Sequence, residues 1–471
     1  MIHDLSETIC APATALGGGL AVIRISGSLA PQIAERLLGK RLTPREATTA
    51  GLRIDGQLID LVVATYFAAP HSYTGEEVVE LSCHASPFIV RSILEWIAQQ
   101  EGCRVAVPGE FTRRALAHGK LDLAEAEAVA DLIAATTATQ HKMAMEQHTG
   151  RLSHLLNELR ATLLRFASLL ELELDFSEED VAFADRTTLV ETLATIQHQL
   201  RLLTQSFTTG QELQQGIPTA IIGAPNVGKS SLLNALLQHE RAIVSDIPGT
   251  TRDTVEGRLT IRGTLFRLID TAGLRQTTDL VEQLGIERSY QQISSARLIL
   301  WVIAPPLPTW DELEAQLSDI LPLSAPDSTL MLLLNKRDLL TESEVMDWLS
   351  HCFSLLQRTK GKPHTTSPLA ISARAAQGIE ALEELMVTST QQTLHSEEET
   401  VMLYNLRHYE ALTKASHALE LVSEGLHNGL TSDLITPYLR EAIEEIGLVT
   451  GSSITSDEVL GFIFSHFCIG K

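Results

Sequence analysis

Gly223-Ala224-Pro225-Asn226-Val227-Gly228-Lys229-Ser230 fits the pattern G-x-x-x-x-G-K-[ST], and the chemistry it suits is the holding of a phosphate chain. The two glycines let backbone N–H groups turn toward phosphate oxygens at a helix N-terminus, where free donors and the dipole favour negative charge. Lys229 adds a point charge for the outer phosphates, and the Ser230 hydroxyl can ligate Mg²⁺. The nucleotide contacts assigned here are Asn226, Val227, Gly228, Lys229, Ser230 and Ser231. A glycine turn followed by a surface lysine has the same pattern, so other segments must decide. Asp270-Thr271-Ala272-Gly273 ends the apolar run 265–269 and brings a carboxylate toward the metal. Asn335-Lys336-Arg337-Asp338 ends the run 330–334. The Asp338 carboxylate can accept from both N1–H and the amino group of guanine, whereas adenine would leave it facing an acceptor. Ser372-Ala373-Arg374 follows the run 369–371, where a backbone N–H could reach the guanine O6. Together these segments read GTP as the substrate.

A stretch between the first two motifs has the composition of a switch. Ser245, Asp246, Ile247, Pro248, Gly249, Thr250 and Thr251 are assigned to the nucleotide, with Thr251 on Mg²⁺ when a γ-phosphate is present. Leu274 stands where a Ras-like GTPase places a water-orienting Gln, so another group must position water and neutralise charge. Asn226 offers an amide oxygen, and Ser245, Ile247 and Thr250 could add oxygens around a monovalent cation such as K⁺. Local closure of the loop by the Asn226 side chain is the other reading.

Further segments exceed what a GTPase needs: Val22-Ile23-Arg24-Ile25-Ser26-Gly27, Ser72-Tyr73-Thr74-Gly75-Glu76-Glu77, Pro108-Gly109-Glu110-Phe111, Lys120-Leu121-Asp122-Leu123-Ala124-Glu125-Ala126-Glu127 and a terminal Phe467-Cys468-Ile469-Gly470-Lys471. With them the chain resembles, nearly end to end, the MnmE (TrmE) family of tRNA-modification GTPases. The resemblance implies an N-terminal domain similar to the tetrahydrofolate-binding domains of aminomethyltransferases, binding 5-formyltetrahydrofolate or another one-carbon tetrahydrofolate. The matching positions are Arg24, Glu80, Lys120 and Lys471. Taken singly, the first three read as solvated or paired charges. The resemblance also implies catalytic roles for Thr251 and for Glu282, a water-orienting acid that would replace the missing Gln; a solvated glutamate at a helix start is the other reading. It implies a homodimer formed through the N-terminal domain. It further implies joint action with the FAD protein MnmG, in a heterotetramer or larger complex, on C5 of the wobble uridine of certain tRNAs. One departure stands out: Ala15-Leu16-Gly17-Gly18-Gly19-Leu20 lacks the arginine of the family's usual Pro-Gly-Arg-Gly-Gly-like turn. Ser245, where relatives often carry Thr, keeps the hydroxyl.

Composition agrees. The 471 residues leave room for about three domains, and an apolar fraction of 44% supplies their cores. A formal charge of -23 argues against a surface coated for non-specific nucleic-acid binding, so tRNA must meet a local basic patch or arrive through another protein. Cys10, Cys83, Cys103, Cys352 and Cys468 are scattered and lack C-x-x-C spacing, as in a cytoplasmic protein with reduced thiols. No run approaches a membrane span, and the acidic start is unlike a signal peptide. Cys468-Ile469-Gly470-Lys471 is not a prenylation box, and Cys468 reads as a packed thiol. A ribosome-assembly GTPase would share the nucleotide segments but append a basic RNA-binding module, whereas Glu397-Glu398-Glu399 opens an acidic segment here. A dynamin-like remodeller would need a membrane-active helix, and none is found.

The elements that must position these residues follow from the hydrophobic period. Up to about Gly119, short apolar runs alternate with turns, which predicts an α+β domain (1–119). Leu152, Leu155, Leu156, Leu159, Leu163, Phe166 and Leu170 share one helix face, and Leu189, Leu193, Ile196, Leu200 and Leu203 another. Strand-like and helical runs then alternate across 217–385, the mark of a parallel α/β fold, before the helical period returns through Leu434, Leu439, Ile443 and Ile446. The expectation is a multidomain α+β and α/β chain. A Ras-like P-loop GTPase domain (217–385) is inserted into a discontinuous helical domain (120–216 and 386–471), since each amphipathic half needs a partner. Residues 359–367 read as a basic, Pro-containing linker.

Overall fold

The computed structural model describes residues 6–175, 186–239, 257–269, 293–358, 364–394 and 401–452. The chain forms two compact units, one of Met1–Ala135, Lys142–Arg201 and Glu410–Lys471, the other of Thr136–His141 and Leu202–Tyr409. Most of the second unit, Leu202–Tyr409, falls in the sequence between two parts of the first, with wider bounds than the expected 217–385.

The first unit begins with a six-stranded sheet ordered β3-β4-β5-β2-β1-β6, built from β1 (Thr8–Pro12), β2 (Leu20–Ser26), β3 (Ala47–Ile54), β4 (Gln57–Phe67), β5 (Val78–His84) and β6 (Cys103–Val105). All its pairs are antiparallel except β1 with β6. Alternation along β2 sends Ala21, Ile23 and Ile25 into a core shared with α1 (Ala30–Leu38) and α2 (Pro87–Ala98). Val22 and Arg24 point to the opposite face, where Ile9 and Ala11 pack with Phe111 of α3 (Glu110–Ala117) and with Tyr73.

Helices follow. Asp122 and Glu125 form a capping box that starts α4 (Leu123–Ala134), after which come α5 (Ala138–His148), α6 (Arg151–Asp175) and α7 (Arg186–Gln215). Of the predicted stripes, Leu152, Leu156, Leu159, Leu163 and Leu170 of α6, and Leu189, Leu193, Ile196, Leu200 and Leu203 of α7, are buried, while Leu155 and Phe166 are only partly so.

In the second unit a sheet runs β12-β11-β10-β7-β9-β8, with β13 also on β11. Its strands are β7 (Ile217–Ile222), β8 (Arg258–Ile261), β9 (Thr264–Leu268), β10 (Leu298–Ile303), β11 (Thr329–Leu334), β12 (His364–Thr365) and β13 (Leu369–Ala370). Only β8 and β9 pair antiparallel. Every residue of β10 and β11 is buried, because helices cover both faces: α8 (Lys229–His239) and α11 (Ile379–Leu394) on one, α9 (Trp310–Ile320) and α10 (Glu342–Arg358) on the other. The expected linker is corrected in part: His364–Thr365 pairs with β11, so the edge of a buried sheet claims that end of the segment.

Back in the first unit, α12 (Leu406–His427) contributes its residues from Glu410 onward, and α13 (Ser432–Thr450) packs along α6. Leu439, Ile443 and Ile446 are buried, but Leu434 is 52% exposed and leaves the predicted stripe. Cys10, Cys83, Cys103 and Cys352 are free and buried. No described helix is long and apolar enough to cross a membrane.

Candidate functional site

Strand order places the phosphate loop. β7 lies between β9 and β10, so the chain leaves it toward opposite sides, and the crevice at such a switch point is where open α/β sheets hold ligands. The loop from Gly223 to Gly228 joins β7 to α8, with Lys229 and Ser230 in the first helical turn. Its glycines are required by contact as well as by conformation. At Gly223 φ is +144° and a Cβ would sit 2.2 Å from the Val302 carbonyl oxygen; at Gly228 φ is +95° and a Cβ would sit 2.3 Å from Asn335 Nδ2. Asn226 adopts φ 59°, the left-handed conformation a short polar side chain tolerates.

Asn335 organises the base end. Its Nδ2 donates to the Val227 carbonyl (2.8 Å) and its Oδ1 accepts from the Ala373 N–H (3.0 Å), so one buried amide ties the phosphate loop to the Ser372-Ala373 loop. Lys336, at φ 59°, donates from Nζ to the Asn226 carbonyl at 2.8 Å. Ser372 Oγ donates to Asp338 Oδ1 at 2.6 Å, fixing the carboxylate that the sequence assigns to guanine. Arg374 follows on this loop and is exposed. Three distant segments thus meet before any ligand is considered.

Lys229 bends back so that Nζ donates to the carbonyls of Gly223 (2.7 Å) and Ala224 (2.9 Å). Burial holds its pKa below the ordinary lysine range, because the charged form has lost water and gained only neutral acceptors. An anion in the loop would restore the lost counter-charge. The exposed Ser230 hydroxyl lies at the helix N-terminus, and among the described residues the Asn226 side-chain amide makes no hydrogen bond. Ser245, Asp246, Ile247, Pro248, Gly249, Thr250, Thr251, Asp270, Thr271, Ala272, Gly273 and Glu282 lie outside the described residues, as do Cys468 and Lys471.

In the N-terminal sheet, register sets Arg24 of β2 directly opposite Glu80 of β5. The guanidinium meets Glu80 Oε1 through Nε at 2.9 Å and Nη2 at 2.8 Å, both side chains partly buried. The paired-charge reading is thus what the structure holds for these two residues. The Arg24 guanidinium also lies 5.0 Å from the Tyr73 ring centre and 5.6 Å from that of Phe111. Lys120 is exposed, with Nζ 3.2 Å from the Pro70 carbonyl. Sequence reasoning singles out the motifs that carry Tyr73 and Phe111 but not the two residues themselves, because nothing in one sequence says that rings distant along the chain flank Arg24.

Comparison with known proteins gives the family. A family profile described as "MnmE helical domain" matches residues 123–468, and one described as "GTP-binding protein TrmE N-terminus" matches residues 8–120. A protein of Porphyromonas gingivalis named "tRNA modification GTPase MnmE" is 47% identical, covering 100% of both chains. One of the same name from Parabacteroides distasonis is 44% identical over 99% of this chain and 100% of its own. Another, from Flavobacterium johnsoniae, is 43% identical over 99% of each. With both profiles and relatives of full length matched by one continuous chain, this protein belongs to the MnmE family of tRNA-modification GTPases.

Proposed function

We propose that this chain binds and hydrolyses GTP, and that with MnmG and a one-carbon tetrahydrofolate it installs an aminomethyl or carboxymethylaminomethyl group on C5 of the wobble uridine of certain tRNAs. The observation that carries the nucleotide half is the Asn335 amide bridging Val227 and Ala373, with Asp338 held by Ser372. That arrangement prepares a rigid, glycine-lined cradle and a positioned carboxylate, so binding spends little on ordering the loops. Lys229 would turn from its own loop carbonyls to the outer phosphates. Ser230 and Thr251 would hold Mg²⁺, with Asp270 nearby, and the metal would offset charge on the transferring phosphoryl group. Asn226, with Ser245, Ile247 and Thr250, would hold K⁺, which would supply the charge that an arginine finger supplies elsewhere. Glu282 would orient the attacking water.

Glu80, beside an Arg24 that lies over the rings of Tyr73 and Phe111, suits a flat ring edged with donors, and exposed Lys120 suits an anionic tail. Arg24, Glu80, Lys120 and Lys471 would therefore hold the folate, which would supply or relay the carbon unit. The chain would act as a homodimer in the cytoplasm, its paired GTPase domains opening and closing with the nucleotide cycle and thereby gating the tRNA chemistry.

GTP hydrolysis by the full chain in matched KCl and NaCl tests the switch, with wild type beside Asn226→Ala and Asn226→Gly. The glycine variant removes the amide without the cost, about 1 kcal/mol, of a left-handed alanine. A rate that rises with K⁺ in wild type and in neither variant is expected. Equal rates in both salts would overturn the cation-dependent mechanism and favour a GTPase that waits for a separate activating protein.

A further inference from the structure

The two N-terminal motifs that supply the rings against Arg24 also meet in one largely buried ionic chain. Arg104 of β6 donates from Nε to Glu7 (2.7 Å) and from Nη1 and Nη2 to the two carboxylate oxygens of Glu110 (2.7 and 2.6 Å). Glu110 also accepts from the Val107 N–H (2.9 Å) and from Arg114 Nη2 (3.2 Å). Arg114 then reaches Glu76 through Nη1, at 2.9 and 3.1 Å from its two oxygens, and Ser26 Oγ donates to Glu76 Oε2 at 2.7 Å. The Glu110 and Arg114 side chains are both 0% exposed. Burial pulls the Glu110 pKa upward, but Arg104, the Val107 N–H and Arg114 outweigh it and hold the carboxyl below the usual range.

Buried ion chains are weak devices for stability, since apolar residues of the same volume often do as well, while they do fix one arrangement of the segments they join. The segments joined here are residues 72–77 and 108–114, and they reach two of the proposed folate residues, Arg24 and Lys120. Thr74 Oγ1 bonds Ser26 Oγ at 2.7 Å, and the Thr74 carbonyl lies 2.8 Å from His118 Nδ1. Gly75, at φ +81°, lets Lys120 Cγ approach to 3.3 Å from where a Cβ would stand. Tyr73 on one segment bonds through its hydroxyl to Thr112 on the other at 2.9 Å, and the rings of Tyr73 and Phe111 are the two that flank Arg24.

We propose that the two motifs form a single ion-paired clamp that sets the rings of Tyr73 and Phe111 against Arg24 and leaves room for Lys120 at Gly75, making Glu76, Arg114 and Thr112 positioning residues of the folate site. The proposal rests on the folate reading of that site. In this clamp Glu76, Glu110 and Arg114 lock the segments, Gly75 makes room, and Tyr73 and Phe111 present the rings.

Titration of the full-length chain with 5-formyltetrahydrofolate tests this in a double-mutant cycle. Glu76→Gln keeps the shape and removes the charge; Thr112→Val, a milder change, frees only the Tyr73 hydroxyl. If Glu76 acts through Arg24, Glu76→Gln weakens folate binding about tenfold in the wild-type background and less than about twofold in Arg24→Ala, with GTP affinity unchanged. Thr112→Val should repeat the pattern at about threefold. Folate losses that simply add to that of Arg24→Ala, or wild-type affinity in a folded Glu76→Gln and in Thr112→Val, would overturn the clamp. A wild-type chain that binds no folate would instead bring down the reading on which it rests.

Discussion

The two candidate sites of this chain are built on opposite principles. At the nucleotide site the main chain supplies most of the contacts: carbonyls of Gly223, Ala224, Asn226 and Val227 and the amide of Ala373 are the groups that side chains reach for. Shape there is enforced by what cannot be present, namely a Cβ at Gly223 or Gly228. At the N-terminal site the contacts run from side chain to side chain: Arg24 to Glu80, Arg114 to Glu76, Tyr73 to Thr112. A backbone site leaves glycines at fixed spacing, which one sequence can display. A side-chain site leaves ordinary charged residues whose partners are set only by strand register and packing.

Gly228→Ala puts this contrast under the greatest strain. A Cβ 2.3 Å from Asn335 Nδ2 must displace the amide that ties the two loops, and the φ of +95° strains any side chain. Strain and a lost buried bond together should weaken GTP by about 3 kcal/mol, roughly a hundredfold, in a fluorescent-nucleotide titration. Folate binding should not change. A variant that binds GTP normally would show that the loop is not shaped by that contact.

Asp338→Asn comes next and probes the contrast from the other side, because base choice at the nucleotide site is assigned to a side chain and not to the main chain. An asparagine amide no longer presents two acceptors to N1–H and the amino group, so GTP should weaken by about 2 kcal/mol while a xanthine nucleotide, with an oxygen in place of the amino group, gains. Competition between the two nucleotides reads the switch directly. Unchanged preference would remove Asp338 from the base-reading role, leaving its bond from Ser372 Oγ a structural one.

Legibility follows the same division. The parallel sheet and its phosphate loop can be read because the buried strands are continuous apolar runs and the glycines punctuate them. The strand at His364–Thr365 cannot be read, since two polar residues join the sheet only because β11 offers an edge. Leu434 faces out because it stands five residues before Leu439, off the spacing of three or four, and Ile435 takes the buried place in the stripe. In the N-terminal domain, Arg24 and Glu80 are visible as charges in apolar strands, but their pairing spans 56 residues and depends on the β2–β5 register. Arg114 has the sequence setting of a helix-surface arginine and is instead fully buried, a fact that no spacing rule carries.

The smallest expected effects lie on the pH axis, where the two regions should move in opposite directions. Glu110 is held below the usual glutamate range, with Arg104 the chief lowering partner, so its contribution to stability is present above the ordinary glutamate pKa and is lost as pH falls through its own depressed value. The protection factor of the Val107 amide, whose N–H donates to that carboxylate, should fall on acidification while those of the nucleotide loop stay as they were. Lys229 is lowered by burial in the ligand-free loop, and a bound phosphate would raise it again, so GTP affinity should be level below the free-state value and decline as pH rises through it. The decline is at most about tenfold per pH unit, and it should start earlier than for an ordinary surface lysine. Lys229→Arg, which stays charged across the whole range, should flatten the profile even if it binds GTP more weakly. A profile of the same slope in both proteins would assign the pH dependence to the nucleotide, and would show that the buried ammonium of the phosphate loop carries none of it.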